Sequence, residues 1–366
     1  MDRGRLSATA RTGSVDRAGG RMMSDDFEVR QPPRLSIVIP APSDTAALED
    51  TLVSVLENRP DDCEIVVALG CEYADPWNIR EEVRFVQAPV GSGIVSCTNL
   101  GIAASEGEVV HILAAGWRAT EGWTEPALEW LERDDVAAVV PLGVAADDRD
   151  RVVSAGVRCA AGGRRIGVAA DAQWKRTPAA DCPPRGGIAP MGPVLETGFW
   201  KATVFEFAGR GFSTVCGDAA ADADMAVTLA RSGQEVVLEP SSRVVAAADR
   251  KTPVRSFAAG LQAERLFWRS LAGQPLLTAL LLHAVEIVRH AAVRAPLGTL
   301  PMLAGRLVAF LQFGSYVSRY RQLRDLMAGA TQPRTDIDRP TIRIDAAHAS
   351  IGRPRRGATP PLRRSA

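Results

Sequence analysis

The sequence predicts an α/β protein with a mostly parallel central sheet, helices on both of its faces and an α-helical C-terminal extension. Three observations lead there. Between residues 35 and 140, short β-branched runs alternate with segments whose apolar residues recur at helical spacing, and that alternation builds parallel sheets covered by helices. The composition, 46% hydrophobic and 23% charged in 366 residues, supplies a sizeable core and excludes a disordered chain. After Arg250 the strand runs stop and the pattern turns apolar and helical.

Taken in order, residues 35–39 form a β-branched run stopped by Pro40 and Pro42, a buried strand leading into a loop. Leu48, Leu52, Val55 and Leu56 give residues 46–58 a helical spacing. Cys63–Leu69 is a second strand closed by Gly70, residues 83–86 a third, and 93–104 a small-residue helix. Val109–Leu113 is a fourth strand, followed by a helix over 122–132 and a fifth strand over 136–140. Ligands of such sheets sit beyond the carboxyl ends of the strands, so the loops after Ile39, Leu69 and Leu113 are the segments that matter. Residues 145–190, rich in Gly and Ala, read as a variable hairpin and surface loops. Order resumes over 191–207, with a turn at Gly209, Arg210 and Gly211, a helix over 222–232 and a strand over 235–238 closed by Pro240.

The extension holds two apolar stretches. Within 275–294, His283, Glu286, His290 and Arg294 recur at spacings of three and four, one polar stripe on a helix. A helix that spans a bilayer wants about 20 nearly uninterrupted apolar residues; the stripe points instead to an interfacial or partner-packing helix. Residues 300–317 are broken by Gly305, Arg306 and Gly314 and read the same way. The tail from Thr331 is rich in Pro and Arg and reads as disordered.

Charge and cysteines narrow the classes. From Arg250 onward there are 19 basic and 6 acidic residues, whereas the whole chain has 43 of each. An acidic globule with a basic C-terminal segment suits an anionic membrane surface. Nucleic acid fits poorly, since no aromatic interleaving accompanies the basic residues. The six cysteines show no C-x-x-C pair or metal-ligand spacing, which points to reduced thiols and a cytoplasmic compartment. Residues 1–33 lack an apolar h-region and read as a disordered leader, or as an early start ahead of Met22 or Met23. No G-x-G-x-x-G follows the first strand, which argues against a dinucleotide enzyme.

Several pieces, in order and spacing, resemble family 2 glycosyltransferases. They are the run from Ser36 to Pro40, the strand from Glu64 to Val67 with Gly70 beyond it, Gly93 with Asn99 and Gly101, the strand from Gly107 to Leu113, and Gly122 with Trp123. Gly192 to Trp200, Gly211 with Phe212, Asp222 and Asp224, and Glu239 with Pro240 resemble the acceptor half. The resemblance implies the GT-A fold over 34–248, with a nucleotide-binding half at 34–140 and an acceptor half at 190–248. Beyond it lie a helical, basic, membrane-associated extension at 249–330 and a disordered tail at 331–366. It also implies a nucleotide-sugar donor, a glycan or lipid-linked acceptor, inverting transfer, an Asp that holds the base, and an Asp-x-Asp that holds Mg2+ or Mn2+.

The acids depart from that pattern. The base-binding turn is Ala68, Leu69, Gly70 and Cys71, and the Asp-x-Asp is Ala114, Ala115 and Gly116. Alanine offers no oxygen to a hard divalent cation. The resemblance assigns the proton-removing acid to Asp222, with Asp224 beside it. By position, Pro40, Ala41, Asp44, Ala68, Gly70, Asn99, Ala114, Ala115 and Trp123 fall at the substrate. Plainer roles compete: Asp222 and Asp224 suit a helix start, Asn99 suits a helix brace, and Trp117 and Trp123 suit packing. Asp44 and Asp75 are candidates for replacement metal ligands. Two functions therefore stand. One is an active transferase. The other is a catalytically degenerate one that serves as a binding or scaffold subunit in surface-polysaccharide assembly, beside a partner transferase.

Overall fold

A computed structural model describes residues 32–168, 190–246 and 254–329. The leader before residue 32 and the tail from Thr331 lie outside these residues, as do residues 169–189 of the hairpin and loops expected over 145–190.

The α/β layer starts with β1 (Leu35–Ala41), α1 (Thr45–Asn58), β2 (Cys63–Leu69), β3 (Arg84–Gln87), α2 (Ile94–Ala104) and β4 (Val109–Leu113). It continues with β5 (Trp117–Ala119), α3 (Glu125–Leu131), β6 (Val136–Ala145), β7 (Val152–Ser154), β8 (Val157–Cys159) and β9 (Arg165–Gly167). Next come β10 (Thr197–Lys201), α4 (Ala202–Phe207), α5 (Ala221–Ser232) and β11 (Glu235–Ala246). The main sheet runs β3-β2-β1-β4-β10-β6-β11-β5, with β7 on β6. β1, β2, β3 and β4 pair in parallel. The first half is mostly parallel, as expected; β10, from later in the chain, lies antiparallel between β6 and β4. β11 is longer than the expected 235–238, because a register shift between Glu239 and Arg243 absorbs Pro240 inside the strand.

Burial on both faces explains the continuous apolar strands. Leu35, Ile37 and Ile39 of β1 pack with Leu48, Leu52 and Val55 of α1 on one face. Val38 of the same strand packs with Val95 and Ile102 of α2 on the other, next to Trp200, Phe205 and Phe212. This period of two sorts one strand between two cores.

The extension consists of α6 (Ser256–Ser270), α7 (Leu276–Arg294), α8 (Thr299–Phe310) and α9 (Phe313–Gly329). α6 and α8 cross with their backbones touching: a Cβ on Gly260 would stand 2.0 Å from the Met302 carbonyl oxygen, and one on Gly305 would stand 2.1 Å from that of Phe257. α7 is long and apolar enough to cross a membrane by length and composition, yet its polar stripe is turned onto the protein. His283 Nδ1 lies 3.0 Å from the Gly162 carbonyl oxygen and its Nε2 3.1 Å from Glu264. The opposite face leaves Leu277, Leu281, Val285 and Val288 exposed.

Candidate functional site

Three strand-end loops are joined by backbone hydrogen bonds into one floor. Gly70 N–H donates to the Ala41 carbonyl oxygen at 2.9 Å, Ala115 N–H to that of Pro40 at 3.1 Å, and Gly91 N–H to that of Gly70 at 2.9 Å. Gly70 is required here: a Cβ would meet the Ser92 carbonyl oxygen at 2.9 Å and the Pro42 Cα at 3.0 Å. Gly116 has φ of 94°, and its N–H donates to the Ala47 carbonyl oxygen and to Thr51 Oγ1.

The floor is built without charge. Pro40, Ala41, Ala68 and Ala114, which position alone places at the substrate, are buried, as is Leu69, and their side chains lie beneath the surface. Ala115 is partly exposed. Asp44 is exposed at the floor's edge and caps α1, Oδ1 accepting from Ala47 N–H at 2.9 Å. Asp75 is turned into its own loop, where it accepts from Ile79 N–H and pairs with Arg80 at 3.3 Å. Among the described residues no three His, Cys, Asp or Glu side chains are grouped to hold a metal ion. The side chains at 114–116 therefore do not fit the divalent cation of the family.

Trp123 is fully buried, which removes it as a sugar platform. Its Nε1–H donates to His111 Nε2 at 3.0 Å. Indole nitrogen only donates, so the imidazole proton sits on Nδ1 and is given to the Gly198 carbonyl oxygen at 3.0 Å. His111 stacks on Phe199 at 3.7 Å between ring centroids, and burial pushes its pKa down to about 3. Asn99 is likewise a brace: Nδ2 donates to the Phe212 carbonyl oxygen at 2.8 Å and Oδ1 accepts from Phe212 N–H at 2.7 Å. Both ends of its amide are consumed within the protein.

The two acids at the start of α5 part company. Asp222 is buried beside Leu195. Its Oδ2 lies 3.4 Å from Leu195 N, and the next residue, Glu196, accepts at its carbonyl oxygen from Ala114 N–H at 2.9 Å. The Glu196 carboxylate stands 3.4 Å from Trp117 Nε1. Arg165 holds Asp222 in a bidentate pair, Nε to Oδ1 at 2.8 Å and Nη2 to Oδ2 at 2.6 Å. Asp224, two residues on, points about 200° around the helix, into the extension. There Arg269 grips both of its oxygens at 2.8 Å and Arg319 approaches Oδ2 at 3.4 Å. Burial alone would raise its pKa, but Arg319 and Arg269 hold it below the ordinary 3.8. Asp224 is thus an anchor of the extension and leaves the catalytic pair.

Arg165, Glu196 and Asp218 escape sequence reasoning. Asp218 Oδ1 accepts from Val95 N–H at 3.2 Å and fills the amide end of α2. Arg165 belongs to the stretch that composition assigns to surface loops. Glu196 lies within the run from Gly192 to Trp200 that resembles the acceptor half, but nothing singles it out there; the carbonyl contact to Ala114 does.

Residues 36–162 match the family model described as Glycosyl transferase family 2, as the motifs imply. Polypeptide N-acetylgalactosaminyltransferase 12 of Mus musculus is 31% identical over 121 residues, covering 30% of this chain and 21% of that protein. The chain thus spans about a fifth of the length of this curated relative. The solved structure of TarS 1-349 of S. aureus superimposes with a TM-score of 0.51 at 11% identity, covering 81% of this chain and 90% of that one. A mannosyltransferase, PcManGT of Pyrobaculum calidifontis, in complex with GDP-Man and Mn2+, gives 0.45 at 16% identity, with coverages of 82% and 88%. The fold is GT-A, with C-terminal helices added.

Proposed function

We propose that this chain is a glycosyltransferase that takes a sugar from a nucleotide-sugar donor and passes it, with inversion, to a glycan or lipid-linked acceptor. The observation that carries this reading is the family match over 36–162, laid on a floor where the loops after β1, β2 and β4 converge. Asp222, the acid of α5 that reaches Leu195 next to the residue bonded to Ala114, acts as general base. Such a base contributes about 10²–10⁴-fold, and here it must first exchange its bond to Arg165 for one to the acceptor hydroxyl. The donor meets the backbone of the loops after β1, β2 and β4 and the partly exposed Ala115. A divalent cation, where the family uses one, would neutralise the leaving diphosphate. Asp222→Asn should abolish transfer while donor affinity and a cooperative unfolding transition persist, the midpoint lowered by the lost pair with Arg165; full activity in that variant sinks the assignment.

A second reading has its own observation in favour. The carboxylates at 68, 69, 114 and 116 are missing together and Asp222 is locked by Arg165, as suits a degenerate transferase that binds a donor, a glycan or a partner transferase without turnover. Calorimetric titration with UDP-, GDP- and dTDP-sugars, with and without Mn2+, followed by a transfer assay, separates the two. Binding with turnover supports the enzyme; binding without turnover supports the subunit; no binding of any donor overturns both as donor-binding proteins.

The extension belongs at the cytoplasmic face of an anionic membrane in this proposal. The exposed apolar face of α7 and the basic excess after Arg250 support it. Flotation with anionic vesicles should carry the protein upward, and Val288→Asp should leave it at the bottom of the gradient with an unchanged melting temperature.

A further inference from the structure

A cavity of about 280 Å³ opens between the β8–β9 turn and helices α6 and α7. Five arginines line it: Arg164, Arg165, Arg289, Arg294 and Arg306. Their charges are incompletely balanced. Arg165 is held by Asp222 and Arg306 by Glu264, the latter at 2.7 Å. Arg164 and Arg289 share the single carboxylate of Glu286, at 3.1 and 2.6 Å. Arg294 donates to the Val254 carbonyl oxygen at 2.9 Å and lies 3.5 Å from Ser256 Oγ; no described carboxylate pairs with it. Five guanidinium groups thus face three carboxylates in and behind one wall.

One detail marks a wall suited to an anion. His290 Nδ1 accepts from Arg306 Nη2 at 3.1 Å, which places the ring proton on Nε2 as a further donor. Burial, then the charges of Arg306, Arg294 and Arg289, push the His290 pKa down to about 4, so the ring is neutral near pH 7. The repulsion that depresses it is what a bound anion would relieve.

We propose that this cavity binds a phosphate or diphosphate group. Guanidinium forks match phosphate oxygens in pairs, and a cluster of them discriminates phosphate from a single carboxylate. The volume admits a phosphoryl head rather than a whole nucleotide sugar, since drug-sized ligands occupy about 300–1,000 Å³. The head would belong either to a soluble phosphate compound or to a lipid whose chains follow the apolar outer face of α7. The site does not depend on sugar transfer by this chain, so it stands or falls separately from the reading above.

The test uses the full chain and two probes. Inorganic pyrophosphate is titrated calorimetrically, and flotation compares phosphatidylcholine vesicles containing phosphatidic acid with vesicles of equal charge containing phosphatidylglycerol. Pyrophosphate should bind saturably, and Arg294→Gln should weaken it about tenfold with circular dichroism and melting unchanged. Arg289→Gln, at an exposed position, should also weaken binding and serves if the first variant folds poorly. A preference for phosphatidic acid that Arg294→Gln abolishes assigns the site to a lipid phosphate; pyrophosphate binding without that preference assigns it to a soluble one. Absence of both, or binding that neither substitution changes, overturns the proposal.

Discussion

The loop floor of the α/β layer and the junction between that layer and the helical extension divide the molecule's chemistry unequally. The floor, at the end of the strands where such folds hold ligands, offers Pro40, Ala41, Leu69 and Ala114. The junction buries Asp222, Asp224 and Glu264, exposed by 2%, 3% and 5%, against Arg165, Arg269, Arg319 and Arg306. A buried carboxylate without a partner is expensive, and with a well-placed arginine its cost is largely offset. The difference teaches that an acid surviving at a catalytic position is not thereby free for catalysis. At the start of α5, one acid anchors the extension and the other is tied to a hairpin.

Breaking the junction should produce the largest effect. Asp224→Ala strands Arg269 and Arg319 in the interior and should cost about 3–5 kcal/mol in urea denaturation; a variant as stable as the parent would remove the contrast between the two regions. Next comes the Asp222–Arg165 pair. A double-mutant cycle with Asp222→Asn and Arg165→Gln should show coupling of about 0.5–3 kcal/mol in stability, and a lack of coupling would free Asp222 from its anchoring role.

Acid should loosen both regions with the same sign. His111 is neutral when folded, with a pKa of about 3 against the ordinary 6.5. Between those values the unfolded chain binds the additional proton, so stability is present above pH 6.5 and is lost as pH falls toward 3. Asp224, depressed below 3.8, adds to the loss as pH drops through and below that value. His111→Gln should flatten the upper part of the profile, measured as urea midpoints against pH. The smallest effect belongs to Asn99→Ala, which removes the brace to Phe212 and should cost about 1 kcal/mol while leaving donor affinity unchanged.

Legibility followed the range of the interactions. Cys63–Leu69 and Val109–Leu113 were readable residue for residue, because a buried strand writes its apolar run locally. β10 was not, since Thr197–Lys201 owes its place to pairing with His111 and Val139, far away in the chain. The missing acids at 68 and 114–116 were readable as plain substitutions. The fate of Asp222 and Asp224 was not: two residues of spacing on a helix separate their faces, but which arginines wait on each face depends on how the extension docks.

The polar stripe of α7 shows the same division. His283, Glu286, His290 and Arg294 declare from the sequence that one side of the helix is wet or paired, since helical period is local geometry. Only the tertiary structure decided that this side turns inward, onto Glu264, Arg164 and Arg306, and encloses a charged cavity while the leucines and valines face out. Sequence by itself determined β1, β2, β4, the helices α1, α2 and α7 and the absent carboxylates, because backbone propensity and side-chain identity are carried by each short segment. The partners of every buried charge were decided by packing, because a guanidinium finds its carboxylate across tens of residues and only after the layers have closed.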